Sequence, residues 1–317
     1  MADREADFAA VRPFLRRRLT ALFGHRVADD RCPFVSSLYR HPTVAEFRAA
    51  LAFLSRNFTF VSLDEVVAHV REGRSLPDHP LFLSFDDGLR SMVGCVAPLL
   101  AEAGVPAAFF LTGAAVDNGY LFYGLRRSYL IDRLREPARA DAAMAALRAD
   151  LRRATVHAAE GRALIDQAAR LLEIDWRAVL EDRRPYMTRS ECRSLLEMGF
   201  ALGAHGWSHD RFAELDEPAR AQNLAWSLDF MQSAFGIARS AFAFPHSHRG
   251  VPRDWMAAQL TADARLSLFF GTGGFAPGDR VLVHRVGFDR PVDAEGPFDI
   301  GAVIAEAYRR AAPAGGG

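Results

Sequence analysis

The feature that most narrows the fold is a short apolar run that ends in paired carboxylates and is followed, one helix later, by a second apolar run. Residues 81–85 read LFLSF, with Pro80 before them and Asp86-Asp87-Gly88 after. Residues 91–103 have helical character and stop at Gly104, and 107–111 are apolar again. A buried strand, a crossover helix and another buried strand form the parallel unit of α/β proteins. The pattern recurs. Thr188-Arg189-Ser190-Glu191 has the spacing of a capping box, so a helix is expected over 189–198, closed at Gly199, then a strand over 200–204 ending at His205. A longer helix is expected over 217–235, stopped by Gly236, with strands over 240–244, 266–270 and 281–283. Nearer the front, 43–57 reads as a helix and 58–62 as a strand. With half its residues hydrophobic, a chain of 317 residues can bury one large core, and a single domain over 1–317 is expected.

Residues 120–186 break the alternation. They are rich in Arg, Ala and Leu at helical spacing, with Met144, Leu147 and Leu151, then Leu164, Ile165, Ala168, Leu171 and Leu172 on repeating positions. A helical insertion within the α/β domain is expected there. Its arginines read first as a solvated helix face and second as a substrate-facing lid.

Charge removes several function classes. The 39 basic side chains, all of them Arg, balance 39 acidic ones, so no global field attracts nucleic acid or an anionic membrane. Without Lys there is no Schiff base, no Walker-type phosphate lysine and no lysine base. Cys32, Cys95 and Cys192 are scattered, as in a reducing compartment. No apolar stretch is long enough to span a membrane. The opening MADREADFAAVRPFLRRRLTALFG mixes acids and arginines where an export leader needs an apolar core, so a cytoplasmic location is expected.

Four clusters carry chemistry, and each falls at the C-terminal end of an expected strand. In Asp86-Asp87, two adjacent carboxylates at a buried strand end need a cation or an arginine to neutralise at least one, although Asp-Asp-Gly is also common turn chemistry. In His205-Gly206-Trp207-Ser208-His209, two histidines four apart can share a metal. Phe244-Pro245-His246-Ser247-His248 and Val283-His284-Arg285 each place histidine at a strand end. Barrel enzymes assemble their sites from such ends.

SFDDG, HGWSH and FAFPHS, in that order, resemble the first three motifs of the polysaccharide deacetylase (NodB-homology) family of carbohydrate esterases, and the lead-in LFGHRV with FVSLDEV is similar to that family's opening. The resemblance covers about residues 22–290 apart from the insertion. It implies a distorted (β/α) barrel that hydrolyses N- or O-acyl groups on sugars with a divalent metal, zinc first and other first-row metals second. It makes Asp87, His205 and His209 the metal ligands and Asp86 the general base acting on a metal-held water. The His246 backbone N–H becomes the oxyanion donor and His284, in a Leu-x-His setting, the general acid, with His246 or His248 as substitutes. Trp207, Pro245, His248 and His25 are the expected substrate contacts. The implied partner is a carbohydrate, with no nucleic acid and no membrane span. Three positions depart from the family. Gly206 replaces a Ser or Thr, Ala243 replaces the Arg that orients the base, and His246 replaces the aromatic after the proline. Alternatives on the same residues are a deformylase or other C–N hydrolase, a degenerate carbohydrate-binding relative, and a two-histidine-one-carboxylate Fe(II) oxygenase.

Overall fold

A computed structural model of the chain describes residues 2–136 and 142–312. Residues 137–141 of the expected insertion, and residues 1 and 313–317 of the expected domain, lie outside the described residues. Among the described residues there are nine strands: β1 Thr20–Gly24, β2 Thr59–Phe60, β3 Pro80–Phe85, β4 Ala108–Leu111, β5 Ala201–Ala204, β6 Ser240–Ala243, β7 Leu266–Gly271, β8 Leu282–His284 and β9 Val286–Gly287. Their order is β8-β7-β6-β5-β4-β3-β1-β9, with β2 added to β3. Neighbours run parallel, as in β1 on β3 and β4 on β5. β8 and β9 are two halves of one extended segment that changes partner at Arg285. The first half pairs with β7 and the second with β1, so the last strand segment joins the two sides of the sheet. The result is a nearly closed barrel surrounded by helices, as the motifs implied.

The barrel interior is filled by Phe82, Ala108, Phe110, Ala241, Ala243, Leu268, Phe270 and Val283. Phe82 and Phe110 both pack on Phe270, with ring centroids 5.2 and 5.4 Å apart. Since β3 and β4 are not neighbours of β7 in the sheet, these contacts cross the interior. The alternate residues, such as Leu83, Phe85, Phe109 and Phe242, face outward into the larger core beneath the helices. Each fully buried ring contributes roughly 1.5–3 kcal/mol of burial free energy.

The helix with the longest expected range is found at Glu217–Phe235, capped by Asp216 and closed by left-handed Gly236. Capping boxes start the helices at Thr43, Ser62 and Thr188. The stretch expected as a helix over 91–103 is a π-type turn, Met92–Val96, running into the helix Ala97–Glu102. β1 was not expected, because its five residues lie between arginines and the polar HRV segment. Between β4 and β5 in the chain, the insertion forms helices Tyr123–Arg133, Ala142–Arg153, Ala159–Leu171 and Trp176–Arg183. They share a small core of their own, including Leu130, Leu151, Ile165, Ala168 and Leu172. Among the described residues, no helix is long and apolar enough to cross a membrane.

Candidate active site

The strand ends deliver the site. Asp86, His205 and Arg285 each sit one step past a strand and donate a backbone hydrogen bond to the strand beside it. The Asp86 N–H donates to the Gly24 carbonyl at 3.0 Å, that of His205 to Leu111 at 2.8 Å, and that of Arg285 to Gly271 at 2.9 Å. Asp87, His209 and His246 have left-handed backbones, with φ of 75°, 59° and 59°. Non-glycine residues hold that conformation only where the surroundings impose it, and here three of them line one cavity.

That cavity has a volume of about 590 Å³. At its floor, one ligand atom each from Asp87, His205 and His209 lies within 4.8 Å of the others. Asp87 Oδ1 is 3.4 Å from His205 Nε2 and 3.1 Å from His209 Nε2, yet it is buried without a hydrogen-bond partner. A buried, unpartnered carboxylate oxygen facing two imidazole nitrogens fits a divalent cation, and one carboxylate with two histidines is a donor set such ions accept. His205 is oriented by Nδ1, 2.9 Å from the Ala243 carbonyl, which leaves Nε2 toward the cluster. Burial holds the His209 imidazole below its ordinary range against the pull of Asp87, so the ring is neutral near pH 7, the form that ligates. Burial alone would raise the Asp87 carboxyl, but His209 and the other histidines around it hold it well below the usual carboxylate range.

Asp86 has a different partner. Arg285 donates to both of its oxygens at 2.8 Å, and to Ser84 Oγ at 3.0 Å. The pair is fully buried, with 0% and 2% of the side chains exposed. The guanidinium lies over the Phe23 and Phe110 rings at 4.5 and 5.2 Å. Burial pushes the Asp86 carboxyl up, but Arg285 outweighs it and keeps the group below its ordinary value, hence ionised. The sequence showed a missing arginine at Ala243. The structure supplies one from the β8–β9 junction, with β1 lying between it and β3.

The histidine loop is braced from two sides. Asn223, on the helix Glu217–Phe235, accepts the Trp207 N–H at 2.7 Å, and Arg162 of the insertion donates to Asp210 at 2.9 Å. Gly206 has φ +74° and Pro245 Cγ would sit 3.0 Å from an added β-carbon, so the family's Ser or Thr would be strained here. The insertion also reaches the cluster and the loop beside it directly. Phe122 stacks on His209 with centroids 4.1 Å apart, and the His157 ring packs against that of His246 at 4.1 Å. Its arginines are therefore not all on a solvated face, since Arg127, Arg152 and Arg153 line the cavity.

The remaining expected residues divide. His25 lines the cavity, stacked on Tyr39 and bonded through Nδ1 to Asp289 at 2.6 Å. Burial lowers its pKa, but Asp87, Asp289 and Asp86 together push it up to about 9. His246 also lines the cavity. His284, expected as the general acid, does not: the strand alternation sends Arg285 to Asp86, and His284 lies against His248 at 4.7 Å, beside a separate pocket with Arg17, Arg18 and His69. His248 goes with it, bonded by the Thr272 N–H at 3.3 Å. Trp207 packs on Phe230 and Trp226, under the loop instead of in the cavity wall. Pro245 is buried against Gly206 and is not part of the lining. The residues that sequence reasoning missed are Asp289 and Tyr39, which carry no motif, and the task of Arg285, whose partner lies 199 positions away.

Residues 73–264 match the family model described as polysaccharide deacetylase. No curated protein matches the chain. Among solved structures, the Streptococcus pyogenes deacetylase PplD in complex with acetate is similar at a TM-score of 0.58 and 11% identity, over 92% of this chain and 97% of that one. IcaB from Ammonifex degensii is similar at 0.56 and 16% identity, over 93% and 97%. A de-N-acetylase from Aggregatibacter actinomycetemcomitans is similar at 0.54 and 15% identity, over 88% and 97%. At these identities the likeness is one of fold.

Proposed function

The chain belongs to the polysaccharide deacetylase family, and on that premise we propose that it is a metal-dependent hydrolase that removes an N-acetyl group from a sugar unit. The observation that carries this reading is the juxtaposition at the cavity floor. A three-residue ligand cluster, Asp87, His205 and His209, lies beside a carboxylate, Asp86, that is ionised yet held off the cluster by Arg285.

A divalent ion bound there would supply Lewis acidity, making water nucleophilic near neutral pH and polarising an acyl carbonyl. The chain's own residues do the rest. Asp86 accepts the proton lost as water adds to the acyl carbon, and its bidentate clamp fixes which oxygen lone pair faces the cavity. His25 borders the same cavity with its ring held by Asp289, so it is placed to hand a proton to the departing amine nitrogen. The aromatic and aliphatic lining, Phe23, Leu38, Tyr39, Phe122 and Leu125, gives a sugar ring apolar faces and excludes bulk water.

Acetate release from N-acetylated chitooligosaccharides, before and after metal reconstitution, tests the reading. Asp86→Asn should retain stoichiometric metal and lose activity by about 10²–10⁴-fold, the usual contribution of a general base. Undiminished acetate release by that variant, or none from the reconstituted wild type on any N-acetylated sugar, would remove it.

A further inference from the structure

The cavity's charge is divided. Among the residues that line it, the carboxylates are Asp86 and Asp87 at the floor, one clamped by Arg285 and the other facing two histidines. The part of the lining that the insertion contributes is cationic. It is made by Arg127 from the helix Tyr123–Arg133, and by Arg152 and Arg153 where the helix Ala142–Arg153 ends. These arginines differ from others on the insertion. Arg126, Arg133 and Arg162 have carboxylate partners, namely Asp166, Glu136 and Asp210. Arg127 donates to the Ala154 carbonyl at 2.7 Å, its Nε is buried without a partner, and among the described residues no carboxylate lies within ion-pair distance. Burial lowers its pKa and no carboxylate offsets the fall. Arg152 makes no ion pair among the described residues, and Arg153 has one exposed contact with Asp150, at 2.6 Å.

A half-buried guanidinium without a counter-charge is costly, and the cost is recovered only when an anion arrives. Arg152 and Arg153 also complement the carbonyl end of their own helix. Arg127 reaches the same carbonyl end through one nitrogen, at Ala154, and its Nε is left without a partner. Three guanidinium forks around one opening suit a phosphate, whose oxygens accept paired N–H bonds from more than one side, better than a lone carboxylate.

We propose that the substrate is a phosphorylated N-acetyl sugar, its acetamide over the Asp87–His205–His209 floor and its phosphate on the Arg127–Arg152–Arg153 wall. The acetamide half of this assignment rests on the deacetylase reading above; the phosphate half rests on the arginines alone. The helical insertion is then the substrate-selecting part of the molecule, and the barrel is its reaction centre.

Calorimetric titration of N-acetylglucosamine 1-phosphate against N-acetylglucosamine tests the phosphate half directly. Wild type should prefer the phosphorylated sugar by at least tenfold. That ratio should fall toward one in Arg127→Gln and in Arg152→Gln/Arg153→Gln, with metal content and melting temperature as controls for folding. The exposed double variant keeps the test decisive if Arg127→Gln does not fold. UDP-N-acetylglucosamine and a short-prenyl diphosphate N-acetylglucosamine distinguish a nucleotide from a lipid source of the phosphate. Equal affinity for phosphorylated and neutral sugar overturns the proposal, as does an equal preference for an N-acetylated uronic acid. Acetate release is followed in parallel. Arginine-dependent binding without acetate release would sink the deacetylase reading and leave the phosphate wall. Acetate release from neutral oligosaccharides, with no phosphate preference, would do the reverse.

Discussion

Arg285 and Asp86 form a fully buried ion pair made of two parallel hydrogen bonds. Removing one partner strands the other charge in a low-dielectric interior, at a typical cost of about 3–5 kcal/mol. Arg285→Ala should therefore lower stability by that order, and Asp86→Asn in the same chain should recover part of the loss; calorimetric melts of the four members of the cycle check it. If Asp86 is the base, as proposed, the same pair should set the acid limb of the pH–rate profile. Arg285 keeps the Asp86 carboxyl below its ordinary range, so kcat/KM should stay flat to below the usual carboxylate pKa in wild type. In Arg285→Gln the limb should move to higher pH. At this scale the acidic doublet and the histidine pair were legible, because each is contiguous in sequence and directly follows an apolar run. The clamp was not. Arg285 stands beside His284 in the sequence, and only strand alternation decides which of the two faces the barrel interior.

The elements around the site are positioned by close contacts that tolerate little change. Gly24, at the end of β1, accepts the Asp86 N–H, and a β-carbon there would run into the Phe288 ring. Gly24→Ala should destabilise by about 1–3 kcal/mol through overpacking, read as a shift in the denaturation midpoint, and should weaken turnover by displacing Asp86. The insertion's hold on the ligands is equally direct. Phe122→Ala removes the ring stacked on His209, and metal affinity should fall by roughly 10–100-fold, the usual effect of losing a group that orients a ligand. Competition with a chelator measures it, and unchanged affinity would show that His209 is held by its loop alone. Helix limits were legible where capping chemistry marks them, as at Thr188 and from Asp216 to Gly236. The direction an arginine-rich helix faces was not, since the spacing of its apolar residues says which face is buried locally and nothing of what lies across a cavity.

For the molecule as a whole, the parallel barrel could be read from the recurrence of strand and helix, and the strand expected over 281–283 is found as β8, whereas closure could not be read, because it rests on β9, two residues with no pattern of their own. The titration of His25 gives the fold a pH dependence of its own. Its folded pKa of about 9 lies above the ordinary histidine value of 6.5. A group raised on folding stabilises fully below its unfolded pKa and loses that contribution as pH rises through the folded one. The metal-free protein should thus lose up to ~3 kcal/mol between about pH 6.5 and 9 relative to His25→Gln, by the conversion of about 1.4 kcal/mol per unit. Thermal melts of chelated protein across that range check the sign. A cation at Asp87 would offset part of the charge that raises His25, so the metal-loaded protein should show a shallower slope.

The segment that carries Arg285 is also the last strand segment of the chain and the one that joins β7 to β1. A barrel still open along that line already has Asp86, Asp87, His205 and His209 in its sequence, but Asp86 has no counter-ion and the seam exposes unpaired backbone. On the proposed reading, turnover would then require the final stave to be locked, since only there does Asp86 meet Arg285. Any partner, protease or mutation that unzips those few residues would silence the chemistry before the rest of the fold gave way.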